Sequence, residues 1–209
     1  MLKLIKIGIL TAAFLTFCLP APLVDRVQIP PVAQQPKPVL PPPGVKHLPK
    51  VEDLVLEMTN QARRSQGLAP LSNDEELRNV ARAYSDDMLA RNFFDHTNPE
   101  GVAFDERISD HYPHRVYVVG ENIWSAFGYH PDKTQQVAKE IMDSWMNSPG
   151  HRENLLSPGY THLGVGVSAR QNKIRATQEF VGKSKSSGLG KLFTFIKARV
   201  PSSWFQVPS

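Results

Sequence analysis

The chain has 209 residues, 41% hydrophobic and 21% charged, with a net charge of +4. That length fits one domain with tails, and the single cysteine, Cys18, excludes an intrachain disulfide and any multi-cysteine metal site. The charge is divided: residues 51–182 hold 13 Lys and Arg against 19 Asp and Glu, and the rest of the chain holds 11 basic residues and one acidic residue, Asp25. The basic balance therefore belongs to the ends, and it does not argue for nucleic-acid binding.

Lys3 and Lys6 followed by an apolar run over 7–19 predict a targeting segment over 1–24, either a signal peptide or an N-terminal membrane anchor. The apolar run is short for a comfortable span. Bulky Phe17 before Cys18 is a poor match to a lipoprotein box. Export to an extracellular or periplasmic location is expected. Residues 25–50 contain eight prolines, including Pro41-Pro42-Pro43, and predict an extended, semi-rigid linker.

A domain is expected over 51–182. Val51, Leu54, Val55, Met58 and Ala62 recur at helical spacing, and Gly67 follows the end. Asn73 or Asp74 can cap a second helix whose apolar face is Leu77, Val80, Ala81, Tyr84 and Met88. Phe104 to Ile108 reads as a short helical turn. Tyr117 to Val119 reads as a strand leading into Gly120-Glu121-Asn122. Pro131-Asp132 opens a helix with Val137, Ala138, Ile141 and Trp145 on its buried stripe. Asn147-Ser148-Pro149-Gly150 then reads as a stop and turn, placing His151 on a loop. Leu163, Val165 and Val167 alternate with small residues, and Ile174, Ala176, Gln178 and Phe180 alternate with Arg175, Thr177, Glu179 and Val181, giving two adjacent strands suited to antiparallel pairing.

Three segments carry a resemblance. Trp145 to Leu156 followed by Leu163 to Val167, Phe94-Asp95-His96-Thr97-Asn98-Pro99-Glu100-Gly101, and Gly120-Glu121-Asn122-Ile123 resemble, in order and spacing, the motifs of the CAP superfamily (the SCP domain) in its bacterial, cysteine-free form. The resemblance implies an α+β fold, a three-layer α-β-α sandwich around a small, mainly antiparallel sheet. It also implies that His96, Glu121 and His151 converge on the floor of an open cleft. Two imidazoles and a carboxylate could hold zinc or another divalent cation, or a proton network with no metal. Family members with a full set of four carry a second glutamate shortly after the tryptophan that matches Trp145. Here Ser148 stands near that place, and Glu140 and Glu153 do not match it. A hydroxyl cannot do the metal or proton work of a carboxylate.

Each of these side chains has a structural alternative: a turn cap for His151, a packing role for His96, bonding to buried loop amides for Glu121. Asn122 and Asn154 read as backbone-bonding residues, Trp124 and Trp145 as core, His111, His114, His130 and His162 as surface, and His47 as part of the linker. A Ser148–His151–Glu121 triad is arithmetically possible, but no nucleophile-elbow motif surrounds Ser148.

Over 183–209 there are five basic and no acidic residues. Leu189, Leu192, Phe193 and Ile196 share a helical face, so the tail predicts contact with an anionic membrane surface, or docking on the domain itself. The reading favoured overall is an exported, groove-bearing binding module for a lipid, peptide or cell-envelope ligand. It is weighed against a metal-assisted hydrolase or peptidase using His96, Glu121 and His151, and against a tethered interaction protein whose function lies in its tails.

Overall fold

The computed structural model describes residues 40–128, 130 and 132–183. The expected targeting segment, the expected linker up to residue 39 and the tail beyond Lys183 lie outside these residues.

Helix α1 (Pro49–Ser65) opens on Pro49, whose fixed φ suits the first helical position, and ends before Gly67 at φ 70°. Val51 and Val55 are buried as expected, and so are three polar residues, Glu52, Thr59 and Arg63. Each polar group finds partners. Glu52 accepts from Arg82 at 2.9 and 2.5 Å and from the Val167 amide at 3.1 Å. Arg63 donates to the carbonyls of Ala69, Leu155 and Ser157 at 2.8–2.9 Å. Burial without such partners would cost more than the helix gains from packing.

Helix α2 (Glu75–Ala90) is capped by Asp74, which accepts from the amides of Glu76 and Leu77. It buries Leu77, Val80, Ala81, Tyr84 and Met88, the face expected from periodicity. Helix α3 (Phe104–His111) extends the predicted turn by a further three residues. Strand β3 (Val118–Phe127) runs straight through Gly120-Glu121-Asn122, which are strand residues rather than a loop after a short strand. Helix α4 (Thr134–Asn147) begins at Thr134, not at Pro131-Asp132.

The stretch read as a turn at His151 is a helix, α5 (Pro149–Leu156). Ser148, extended at φ −93° and ψ 120°, both ends α4 and precedes α5. Pro149 disfavours helix at Ser148 but suits the first position of the next helix, so one proline stops α4 and starts α5.

Strands β4 (His162–Arg170) and β5 (Lys173–Gly182) pair antiparallel along their length, and β3 pairs antiparallel with the far edge of β5. Two short strands complete the sheet on β4: β1 (Lys46–His47), antiparallel, and β2 (Ser72–Asn73), parallel. The fold is thus an α+β sandwich with a mainly antiparallel sheet. One face carries the main core, with Val55, Ile141, Trp145, Leu155, Leu163, Val165 and Phe180. On the other face α2 lies close to β4 because Gly164 and Gly166 have no side chain. A Cβ at these positions would come within 2.3 Å of the Arg78 amide nitrogen and 2.2 Å of that of Arg82.

His47, expected in the linker, is in β1, and its Nε2 meets Asp86 Oδ2 at 3.0 Å. The packed region therefore starts upstream of Val51. It also reaches Lys183, whose Nζ lies 2.8 Å from Asp74. Among the described residues no helix is long and apolar enough to cross a membrane.

Candidate functional site

Glu121 sits on edge strand β3, on the face covered by α2 and α3, and its side chain is wholly buried. Helix α2 ends near residue 90 and delivers the loop that carries His96 to the same place. His96 Nδ1 lies 2.6 Å from Glu121 Oε1. An ionised carboxylate can only accept, so the ring donates through Nδ1–H. Arg107 of α3 donates from Nη2 to Glu121 Oε2 at 2.5 Å. Its Nη1 donates to the carbonyls of His96 at 3.0 Å and Val102 at 3.1 Å. The guanidinium also lies over the Tyr84 ring, 3.3 Å from its centroid, and the Tyr84 hydroxyl donates to the Asp95 carbonyl. The His96 loop and the Glu121 strand are therefore bonded both to each other and to one arginine.

The other side of the β3 edge is closed by side chains. Tyr160, Asn154 and Trp145 donate to the carbonyls of Val119, Glu121 and Ile123 at 3.3, 3.0 and 3.0 Å. Asn154 also donates to Asn122 Oδ1, and Asn122 donates to the His151 carbonyl. The two asparagines thus serve the backbone and each other, as expected. Gly120 leaves room for the Tyr160 ring, since a Cβ would lie 2.2 Å from the Tyr160 hydroxyl and displace it. These bonds fix α5 against β3 and bring His151 alongside. Burial, with the neighbouring His96 ring, lowers the His151 pKa to about 4.

All three expected residues are thus gathered around one edge of the sheet: His96 and Glu121 in direct contact, and His151 within electrostatic reach of His96. His96 and His151 are partly exposed, whereas Glu121 is buried. Two residues of this cluster were missed by sequence reasoning, Arg107 and Glu179. Glu179 is the register partner of Glu121 on β5, and it is completely buried, with Oε1 4.0 Å from Arg107 Nη2. Burial and the adjacent Glu121 charge raise its pKa well above the usual carboxylate range. A strand pattern that placed Glu179 opposite the apolar residues was the available signal, but that position reads equally well as solvent-facing.

The cluster does not fit a divalent ion as it is arranged. Glu121 has one oxygen on His96 and the other on a guanidinium, and among the described residues no three His, Cys, Asp or Glu side chains are grouped to hold a metal. In a Ser148–His151–Glu121 triad Glu121 would orient His151, whereas its oxygens meet His96 and Arg107. Two shallow cavities lie elsewhere: one of about 370 Å³ beside Arg152 and Leu156 on α5, and one of about 350 Å³ between Met58, Met142 and Met146 of α1 and α4. Of the remaining histidines, His111, His114 and His130 are exposed, but His162 is half-buried and bonded to Thr161, against the surface position expected for it.

Comparison with known proteins agrees with the fold. The model of the cysteine-rich secretory protein family (CAP) matches residues 56–180. Uncharacterized protein YkwD of Bacillus subtilis (strain 168) is 42% identical over 133 residues, which is 63% of this chain and 47% of that protein. Uncharacterized membrane protein YlbC of the same organism is 34% identical over 130 residues, 62% of this chain and 34% of that protein. The chain thus spans less than half the length of either curated relative. A solved extracellular protein containing a SCP domain from Bacillus anthracis str. Ames is 30% identical with a TM-score of 0.52, covering 64% of this chain and 40% of that one. A solved outer surface protein from Borrelia burgdorferi shares the fold, with a TM-score of 0.56 at 20% identity over 65% of this chain and 94% of that one.

Proposed function

From the premise that this chain belongs to the cysteine-rich secretory protein (CAP) family, we propose that it is an exported module that binds a lipid, peptide or cell-envelope ligand on the face bearing His96 and His151. Export is supported by the basic and apolar N-terminal segment, and by the extracellular or surface description of two solved proteins of this fold. One observation carries the binding reading: both oxygens of Glu121 are engaged inside the protein. Such a carboxylate orients an imidazole. It is not placed as a general base with an oxygen turned toward a substrate.

Arg107 and Glu121 set the direction of the His96 ring, and the Asn122–Asn154 pair sets the position of α5. His151, whose pKa is lowered to about 4, presents a neutral ring at neutral pH. His96 and His151 are partly exposed, and the Phe104 ring packs edge-on to that of His96 with 6.4 Å between centroids, so this face suits a ligand with an apolar part.

The test is retention of ligand by the full chain. Vesicles of neutral or anionic phospholipid and soluble cell-wall peptides are each presented to the protein and to its His96→Ala/His151→Ala variant. Retention of one class, weakened at least about tenfold in the variant, is expected. Equal retention by both proteins would remove this face as the site. Turnover of a broad peptide library by the wild-type protein would replace the binding reading with the hydrolase one.

A further inference from the structure

We infer that Arg107 is a built-in cation that holds the His96–Glu121 pair in the place a metal ion would otherwise take. The inference rests on reading this face as the site, but it concerns how the pair is ordered, not what binds there.

A metal centre joins residues from separate elements and fixes the orientation of an imidazole. Arg107 already does both. Through Nη2 it holds the Glu121 carboxylate on β3 at 2.5 Å, and through Nη1 it holds the His96 carbonyl on the loop after α2 at 3.0 Å. The carboxylate in turn fixes the ring by its contact with Nδ1. The same Nη2 of Arg107 lies 4.0 Å from Glu179, so one guanidinium serves both buried carboxyl side chains. Its plane is held by the Tyr84 ring at 3.3 Å, and only 7% of the residue is exposed.

A guanidinium keeps its charge at every accessible pH, and its fork of donors has a fixed geometry. A zinc-like ion on Glu121 would sit about 2 Å from a carboxylate oxygen. It would then lie within a few ångströms of Arg107, and two positive charges would compete for one carboxylate. The arginine is covalently present and needs no uptake, so the pair is ordered with or without divalent ions.

The experiment uses the full chain after chelator treatment, with His96 followed by ring-nitrogen NMR and zinc uptake by calorimetry. In the wild-type protein the Nδ1–H tautomer of His96 is expected to persist in chelator. Any zinc affinity should be the same, within about threefold, in Glu121→Gln as in wild type. Arg107→Gln is expected to lose the single-tautomer signature of His96, and Arg107→Lys to recover part of it. One equivalent of zinc bound by wild type and lost in a folded Glu121→Gln protein would overturn the inference. Unchanged His96 signals in a folded Arg107→Gln protein would do the same. Should Arg107→Gln not fold, the His96 signals of wild type in chelator and the zinc comparison with Glu121→Gln still decide. No ligand is needed for these readings, so a failed ligand search and a failed arginine test are separate results.

Discussion

Arg107 Nη2 meets Glu121 Oε2 at 2.5 Å in a pocket where the glutamate side chain has no exposure at all. A buried pair of this kind is costly to break from one side, because the surviving charge is left without a partner. Glu121→Gln is therefore expected to lower unfolding stability by about 3–5 kcal/mol, measured by urea denaturation. A loss well below 1 kcal/mol would mean that Arg107 finds another counter-charge.

The glutamine change at Glu179 has the opposite expectation. Burial and Glu121 raise the folded-state pKa of Glu179, so the folded protein holds a proton that the unfolded chain releases above the ordinary value of 4.5. Stability from this group is complete below about 4.5 and declines as pH rises toward the folded pKa. Glu179→Gln cannot ionise, so its stability should decline less than that of wild type as pH rises above 4.5. Parallel stability curves for the two proteins would contradict this.

His151 contributes with the reverse sign. Its folded pKa of about 4 lies below the ordinary value of 6.5, so the unfolded chain takes up a proton first on acidification. Its contribution is present above pH 6.5 and lost as pH falls from 6.5 toward 4. His151→Asn should flatten that part of the curve. Denaturant midpoints of the two proteins across about pH 4–7 give the comparison, and an unchanged slope would refute it.

Asn154 tests the closure of the β3 edge. It donates to the Glu121 carbonyl and to Asn122, and it accepts from the Tyr160 hydroxyl. Asn154→Ala leaves these groups to find other partners, at an expected cost of about 1–3 kcal/mol. Hydrogen exchange should also quicken in β3 more than in β5, because β5 is paired on both sides. Equal acceleration in both strands would indicate general loosening instead.

Gly166 tests the approach of α2 to the sheet. An added Cβ would lie 2.2 Å from the Arg82 amide nitrogen and 2.4 Å from the Ala81 carbonyl carbon. These are backbone atoms of a helix, so relief requires the whole helix to shift. Gly166→Ala should cost about 1–3 kcal/mol or more. A melting temperature within a degree of wild type would mean that α2 moves freely.

Much of this architecture was legible in the chain because it rests on short-range periodicity. Val165 and Val167 against Gly164 and Gly166 repeat every second residue, and Leu77, Ala81 and Met88 fall on one helical face, whatever lies opposite. The identity of His96, Glu121 and His151 came from motif resemblance, and their position on β3, on α5 and on the loop after α2 agrees with a shared edge. Some local readings failed where one residue carries two meanings. Pro149 is both a stop and a start, so the helix bearing His151 read as a turn. His47 looked like linker because a two-residue strand has no periodicity to detect.

Arg107 and Glu179 belong to the tertiary structure alone. Arg107 lies 14 positions before Glu121, and Glu179 lies 58 after it, in segments that read as an ordinary polar helix face and an outward strand face. Register brings Glu179 opposite Glu121, and the docking of α3 brings Arg107 between them. Periodicity reports which side of an element is apolar, but a buried charge pair depends on the distance between two elements. That distance exists only once the sheet is paired and the helices are seated on it.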